Sequence, residues 1–192
     1  LEFFKDAAEL AREKSRLPEA VFTSGTVVLN ADDKNVLAMK GRVRAHVLFV
    51  GIKANADVRV MGVVNQELED GRPVGVTFKL EYRGNVVPVR LMGVLGKSHA
   101  YAAAFGVAAG LATGGNLLRL VASFEKNYAP AKHRMTIVRG KENVSIIDDT
   151  YNASPLSMKA ALEAVKSLKK TKRAIAVLGD MLELGEASEQ AH

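Results

Sequence analysis

The chain has no cysteine. That excludes disulfide scaffolds and thiolate metal sites and fits a reducing compartment, so a cytoplasmic protein is expected. No apolar run reaches the eighteen or so residues that span a bilayer. The opening "LEFFKDAAEL" lacks the basic region and apolar core of a signal peptide. No membrane association is expected. Aromatic residues make up only 6% of the chain, and there is no RNP-like motif, zinc finger or basic stripe with interleaved aromatics. Nucleic-acid binding therefore rests on the net charge of +6 alone. The basic residues are dispersed, and a solvated surface or a small anionic ligand such as a nucleotide accounts for them equally well. Internal repeats and low-complexity tracts are absent too.

What is present is enough hydrophobic sequence, 48% of 192 residues, to bury one large core or two small ones. Ala7, Leu10, Ala11, Lys14 and Leu17 fall at helical spacing, which predicts a helix over 6–17 with Lys14 on its apolar stripe and Pro18 after its last turn. From Thr26 to about Leu91 short β-type runs follow, "TVVLN", "AHVLFVGI", "DVRVMGVV", "VGVTFKLEY" and "NVVPVRLMGVLG", with "YRGNVV" the clearest hairpin turn. An alanine-rich helix over 98–112 and a second helix ending near Glu125 come next, and "NYAPAKHR" reads as a linker. Beyond it, "RMTIVRG" and "VSIIDD" read as strands, 155–170 as a helix, and the fully apolar "AIAVLGD" as a buried parallel strand. These imply a βαβ unit.

Four places in the chain could carry chemistry. In "SIIDDTYNASPLSM" two acids, Asp148 and Asp149, end an apolar strand, and a parallel βαβ unit would set them near the Gly179–Asp180 turn, on the ligand-binding edge of the sheet. Such carboxylates can accept ribose hydroxyls or hold Mg²⁺. They can equally serve the helix entry, where Ser154 caps and Pro155 occupies the first position. "GVLGKSH" is no P-loop, because that pattern needs glycine where Leu91 stands. His99 then lies in the first turn of a helix. Lys14, if desolvated, would keep some neutral amine able to react with carbon dioxide. Arg134, at the linker's end, could clamp a phosphate.

"IIDDTYNASPLSMKAAL" and "VLGDMLELGE", with His192 closing the chain, closely resemble the MurF-type Mur ligases, which join D-alanyl-D-alanine to UDP-N-acetylmuramoyl-tripeptide in peptidoglycan synthesis. "LEFFKDAAELAREKSRL" is similar to the segment after the family's central-domain histidine. "VVLNADD" looks like its Asn-x-Asp-Asp turn, and "GKSHAYAAAFGVAAG" like its Gly-x-His-Asn-x-x-Asn helix. The resemblance implies an α/β protein. Residues 1–128 would form the second part of a central ATPase domain and 129–192 the start of a Rossmann-like C-terminal domain, with the UDP-binding domain and P-loop upstream of residue 1.

It further implies an ATP- and Mg²⁺-dependent amide ligase acting through an acyl phosphate, monomeric, and inactive as these 192 residues alone. Carried over by position, Lys14 matches a carbamylated, metal-binding lysine and Arg134 an arginine that reaches ATP phosphate. Asp149 matches the acid that holds the ribose, and Tyr151 and Asn152 match the loop facing the active site. Asn30, Asp32 and His99 match further family positions, His99 on the nucleotide side. Ala100 and Ala103 stand where the family has the asparagines that hold adenine. A degenerate relative that binds a nucleotide or partner without catalysis is the alternative reading.

Overall fold

The computed structural model describes residues 4–170, 173–185 and 188–192. In chain order the elements are α1 (Ala7–Glu19), β1 (Thr26–Asn30), α2 (Lys34–Ala38), a 3-10 turn (Met39–Arg42), β2 (His46–Gly51), β3 (Val58–Glu67), β4 (Pro73–Tyr82) and β5 (Asn85–Met92). Then follow α3 (Lys97–Ala112), α4 (Leu117–Asn127), β6 (Thr136–Arg139), β7 (Ser145–Asp148), α5 (Pro155–Lys166) and α6 (Ser188–Ala191). All five strands expected between Thr26 and Leu91 are formed, and they make one sheet in the order β1-β2-β3-β4-β5. β1 pairs parallel to β2, and β2 parallel to β3. Arg83 and Gly84, both at positive φ (49° and 78°), make the two-residue turn between β4 and β5, which only antiparallel neighbours allow. The sheet is therefore mixed.

The chain divides into two compact units. The first comprises Leu1–Met61, Lys79–Pro88 and Tyr101–Phe124. Its core gathers Val27, Leu29, Ala31, Met39, Ala45 and Phe49. Strand alternation in β1 points Val27 and Leu29 inward. α2 escaped the sequence reading because it is only five residues long; Asp33 starts it by accepting from the amides of Asn35 and Val36. α1 starts on Asp6, whose side chain accepts from Glu9 N–H, and Pro18 lies inside its last turn rather than after it. The expected stripe is rotated. Ala11 packs on the core and Ser15 is buried, whereas Lys14 is exposed and Leu17 is 80% exposed. Helical spacing fixes which residues share a face but not which face finds a neighbour, and α1 turns its small residues inward.

The second unit comprises Gly62–Phe78, Val89–Ala100 and Glu125–His192. Leu95, Met135, Ala164 and Leu168 form its core, flanked by Ile137, Ile147 and Ala161. α5 opens with a capping box between Ser154 and Ser157, with Pro155 in the first turn, as the sequence indicates. It stops at Lys166 rather than 170, because Ser167 turns its hydroxyl back onto the Ala164 carbonyl (2.7 Å). Asn65, on β3, ties this unit together. Its Oδ1 accepts the Gly96 N–H (2.8 Å), and its Nδ2 donates to the Ala164 carbonyl (3.2 Å) and to Ser167 Oγ (2.9 Å).

The expected βαβ unit is not formed. β6 and β7 pair antiparallel, Thr136 with Asp148 through Arg139 with Ser145. Val94 bridges Thr136 on β6. "AIAVLGD" takes no strand conformation, and Ile175, Val177 and Leu178 are 74%, 93% and 60% exposed. Hydropathy marked this run as strand, but a parallel strand exists only through its neighbours, and among the described residues none pairs with it. The strand on which the expected juxtaposition of Asp148 and Asp149 with Gly179–Asp180 rested is therefore not formed.

Candidate functional site

The second unit brings four of the six predicted site residues together. They lie on the segment between α4 and β6, on the loop after β7, and in the first turn of α3. His133 and Met135 both adopt left-handed backbone, φ 61° and 49°. For residues other than glycine this conformation costs about 1–3 kcal/mol each and persists only where the surroundings impose it. Here they do. Tyr151 N–H donates to the His133 carbonyl (3.1 Å), Met135 N–H donates to Asp149 Oδ1 (3.0 Å), and Leu95 N–H donates to the Met135 carbonyl (3.0 Å). Between them the exposed Arg134 lays its guanidinium over the Tyr151 ring, 4.0 Å from its centroid, a cation–π stack that keeps the fork extended.

His99 is buried, 8% exposed. Its Nε2 lies 2.9 Å from the Arg134 carbonyl and its Nδ1 2.6 Å from the Tyr128 hydroxyl. A carbonyl only accepts, so Nε2 carries the proton and Nδ1 of the neutral ring accepts from Tyr128. Burial holds the His99 pKa below its ordinary value, against the opposing pull of the Arg134 carbonyl and the Asp149 charge. A histidine that stays neutral while its unfolded form protonates costs stability as pH falls below about 6.5. The pH dependence of the melting temperature should therefore flatten on that side in His99→Gln. A profile unchanged by the substitution would count against this assignment of the proton.

Burial raises the Asp149 pKa, opposed by the Met135 amide and the charge of Arg134. With Oδ1 on Met135, Oδ2 is left to accept from a ligand hydroxyl. Asp148 is used differently. It accepts from the Thr150 hydroxyl (2.8 Å) and from His133 Nδ1 (2.7 Å), and the Thr150 contact first, then His133, lower its pKa. Asn152 is exposed, its Oδ1 accepting the Ala153 N–H. Tyr128 and Thr150 were not singled out from sequence, whereas His133 was, as the neighbour of Arg134 at the linker's end. Tyr128 was hidden in a stretch read as linker, and its one signal there was a lone aromatic beside Pro130.

Lys14 belongs to the first unit, outside this cluster. So does Asp32, at the turn after β1. Its Oδ2 accepts from Ile52 N–H (2.6 Å) and the Tyr101 hydroxyl (2.6 Å), its Oδ1 from Lys53 N–H (3.2 Å), and its own N–H donates to Asn30 Oδ1 (2.9 Å). Burial would raise its pKa, but the Tyr101, Ile52 and Lys53 donors outweigh that and the net shift is downward. Gly51 is required here, since a Cβ on it would lie 2.6 Å from Asp32 Oδ2. Gly51→Ala should lower stability by about 1–3 kcal/mol, as overpacking does, measured by urea unfolding; a loss below ~0.5 kcal/mol would show that Asp32 can move.

Among the described residues no three His, Asp or Glu side chains converge on one point. Asp148 and Asp149 are each committed to protein donors, so these residues do not make a self-contained Mg²⁺ site. They do offer a cation on an aromatic face beside a carboxylate with a free oxygen, which suits a phosphorylated, hydroxyl-bearing ligand.

Known proteins share this arrangement of chain. Residues 133–192 match the family described as Mur ligase, glutamate ligase domain. The chain is 36% identical over 187 residues to the UDP-N-acetylmuramoyl-tripeptide–D-alanyl-D-alanine ligase of Mycobacterium tuberculosis, covering 95% of this chain and 36% of that protein. The Mycobacterium leprae enzyme of the same name is 32% identical over 209 residues, covering 98% and 40%. MurF from Acinetobacter baumannii superposes with a TM-score of 0.80 at 26% identity, over 98% of this chain and 39% of that one. The chain belongs to the Mur ligase family. The MurF ligase of Thermotoga maritima, solved with ADP, shares the fold at a TM-score of 0.82 and 23% identity, over 100% and 42%. The chain thus spans 36–40% of the length of these mycobacterial relatives. Within this Mur ligase chain, Ala100 and Ala103 are 0% and 1% exposed, so their positions are taken up by packing.

Proposed function

We propose that this chain is part of a MurF-type ligase that joins D-alanyl-D-alanine to UDP-N-acetylmuramoyl-tripeptide, using ATP to form an acyl phosphate. The observation that carries the reading is Arg134 stacked on Tyr151 beside the open oxygen of Asp149. A guanidinium there can neutralise phosphate charge as it develops, and Asp149 Oδ2 can accept a ribose hydroxyl. Tyr151 and Asn152 line the same loop, and His99 holds the segment from behind. In this reading residues 1–128 belong to the central ATPase domain and 129–192 begin the C-terminal domain. Lys14 matches the carbamylated position; it is exposed here, so burial by parts of the ligase beyond these residues would have to supply the desolvation that the reaction with carbon dioxide needs. Mg²⁺ would need ligands beyond those converging in these residues. The ligase is a cytoplasmic monomer, and these 192 residues, which contain no P-loop, have no activity alone.

The full-length ligase should release phosphate from ATP only when both the UDP-linked tripeptide and D-alanyl-D-alanine are supplied. Phosphate release that ignores the dipeptide, or none with any dipeptide while nucleotide still binds, would favour a binding protein instead.

A further inference from the structure

The backbone around Arg134 is held at more points than the fold requires. The carbonyl of His133, the carbonyl of Arg134, and both the N–H and the carbonyl of Met135 each have a partner, from four separate places: Tyr151, His99, Asp149 and Leu95. Three of these partners are local or part of the strand framework. His99 is not. It reaches Arg134 across 35 residues of sequence, and through its other nitrogen it holds Tyr128, 29 residues away. One imidazole therefore grips both ends of the segment Tyr128–Arg134.

The ring is suited to this task in only one state. Its Nε2–H must point at the Arg134 carbonyl, and the Tyr128 hydroxyl enforces that by donating to Nδ1. The Tyr128 ring meets His99 edge-on, with centroids 6.2 Å apart and planes at 85°, so the imidazole cannot flip without losing both contacts. Meanwhile the Arg134 side chain remains exposed, free to meet a ligand.

We propose that His99 and Tyr128 are positioning residues for Arg134: the Tyr128 hydroxyl fixes the His99 tautomer, and His99 Nε2–H fixes the Arg134 carbonyl and with it the direction of the guanidinium. The inference rests on the reading that Arg134 meets phosphate. Neither His99 nor Tyr128 touches substrate in this scheme. Their removal lowers turnover through Arg134 and leaves affinity for ATP nearly unchanged.

The test is a double-mutant cycle in the full-length ligase, with kcat, KM for ATP and melting temperature measured for each variant. Tyr128→Phe, which keeps the ring and deletes only the hydroxyl, and His99→Gln should each lower kcat about tenfold, the size of one hydrogen bond. KM for ATP should move less than about twofold. In an Arg134→Ala background neither substitution should lower kcat further. If Arg134→Ala itself leaves kcat intact, the phosphate reading fails and the inference falls with it. If Arg134→Ala is impaired but Tyr128→Phe retains full kcat, or costs the same factor in both backgrounds, the reading stands and the positioning role is overturned. Should His99→Gln fold poorly, its melting temperature will reveal it, and Tyr128→Phe alone decides.

Discussion

Arg134→Ala in the full-length ligase is expected to lower kcat by about 10²–10³-fold, the range seen when one preorganised donor to developing charge is removed. The geometry separates this from a stability effect. The guanidinium is exposed and stacked on the outward-facing Tyr151, which is itself 66% exposed. Surface substitutions of this kind typically change stability by less than ~0.5 kcal/mol, so the melting temperature should hardly move. Arg134→Lys should recover only part of the loss, because an ammonium neither lies flat on Tyr151 nor presents two parallel N–H groups to a phosphate. Steady-state kinetics with saturating ATP decide the matter. Full activity in Arg134→Ala would remove this residue from the chemistry.

The second large effect is on folding. Leu95 is fully buried, at the centre of the cluster with Met135, Ala164 and Leu168. Leu95→Ala should cost about 3–5 kcal/mol, the transfer term plus the cavity left behind. The cavity would be slow to collapse, because Leu95 N–H is bonded to the Met135 carbonyl and Gly96 N–H to Asn65, which pins the backbone on both sides. The consequence reaches the site, since Met135 is the residue next to Arg134. Chemical denaturation gives the number. A loss under ~1.5 kcal/mol would mean that α5 moves in to fill the gap. Leu95→Met, nearly equal in volume, should cost less than about 1.5 kcal/mol.

Local signals were legible and long-range ones were not. The strands between Thr26 and Leu91, the Arg83–Gly84 turn and the Ser154–Pro155 helix start were all written in short stretches, and all are present. "AIAVLGD" failed because its strand character depends on neighbours that a single run cannot specify. The rotated face of α1 failed for a related reason: Ala11 and Ser15 are small, and smallness signals burial only when the facing element is known. At the site, Arg134, Asp149 and Tyr151 came from motif likeness, and the structure groups them. The role of His99 was not readable from its place in a helix, because what it bonds to lies 29 and 35 residues further on. Tyr128, inside a stretch that reads as loop, gave no period to detect.

Asn65 has a consequence for how the chain acquires its structure. Its partners at Ala164 and Ser167 lie 99 and 102 residues further along. Contacts of such separation close late, since the loop entropy must be met before they contribute. On a ribosome adding roughly 5–20 residues per second, β3 waits about 5–20 s between its own synthesis and that of α5. Of its three partners the Asn65 amide then has at most the Gly96 N–H, itself made 31 residues after it, and until α5 emerges the nascent second unit stays open to chaperones.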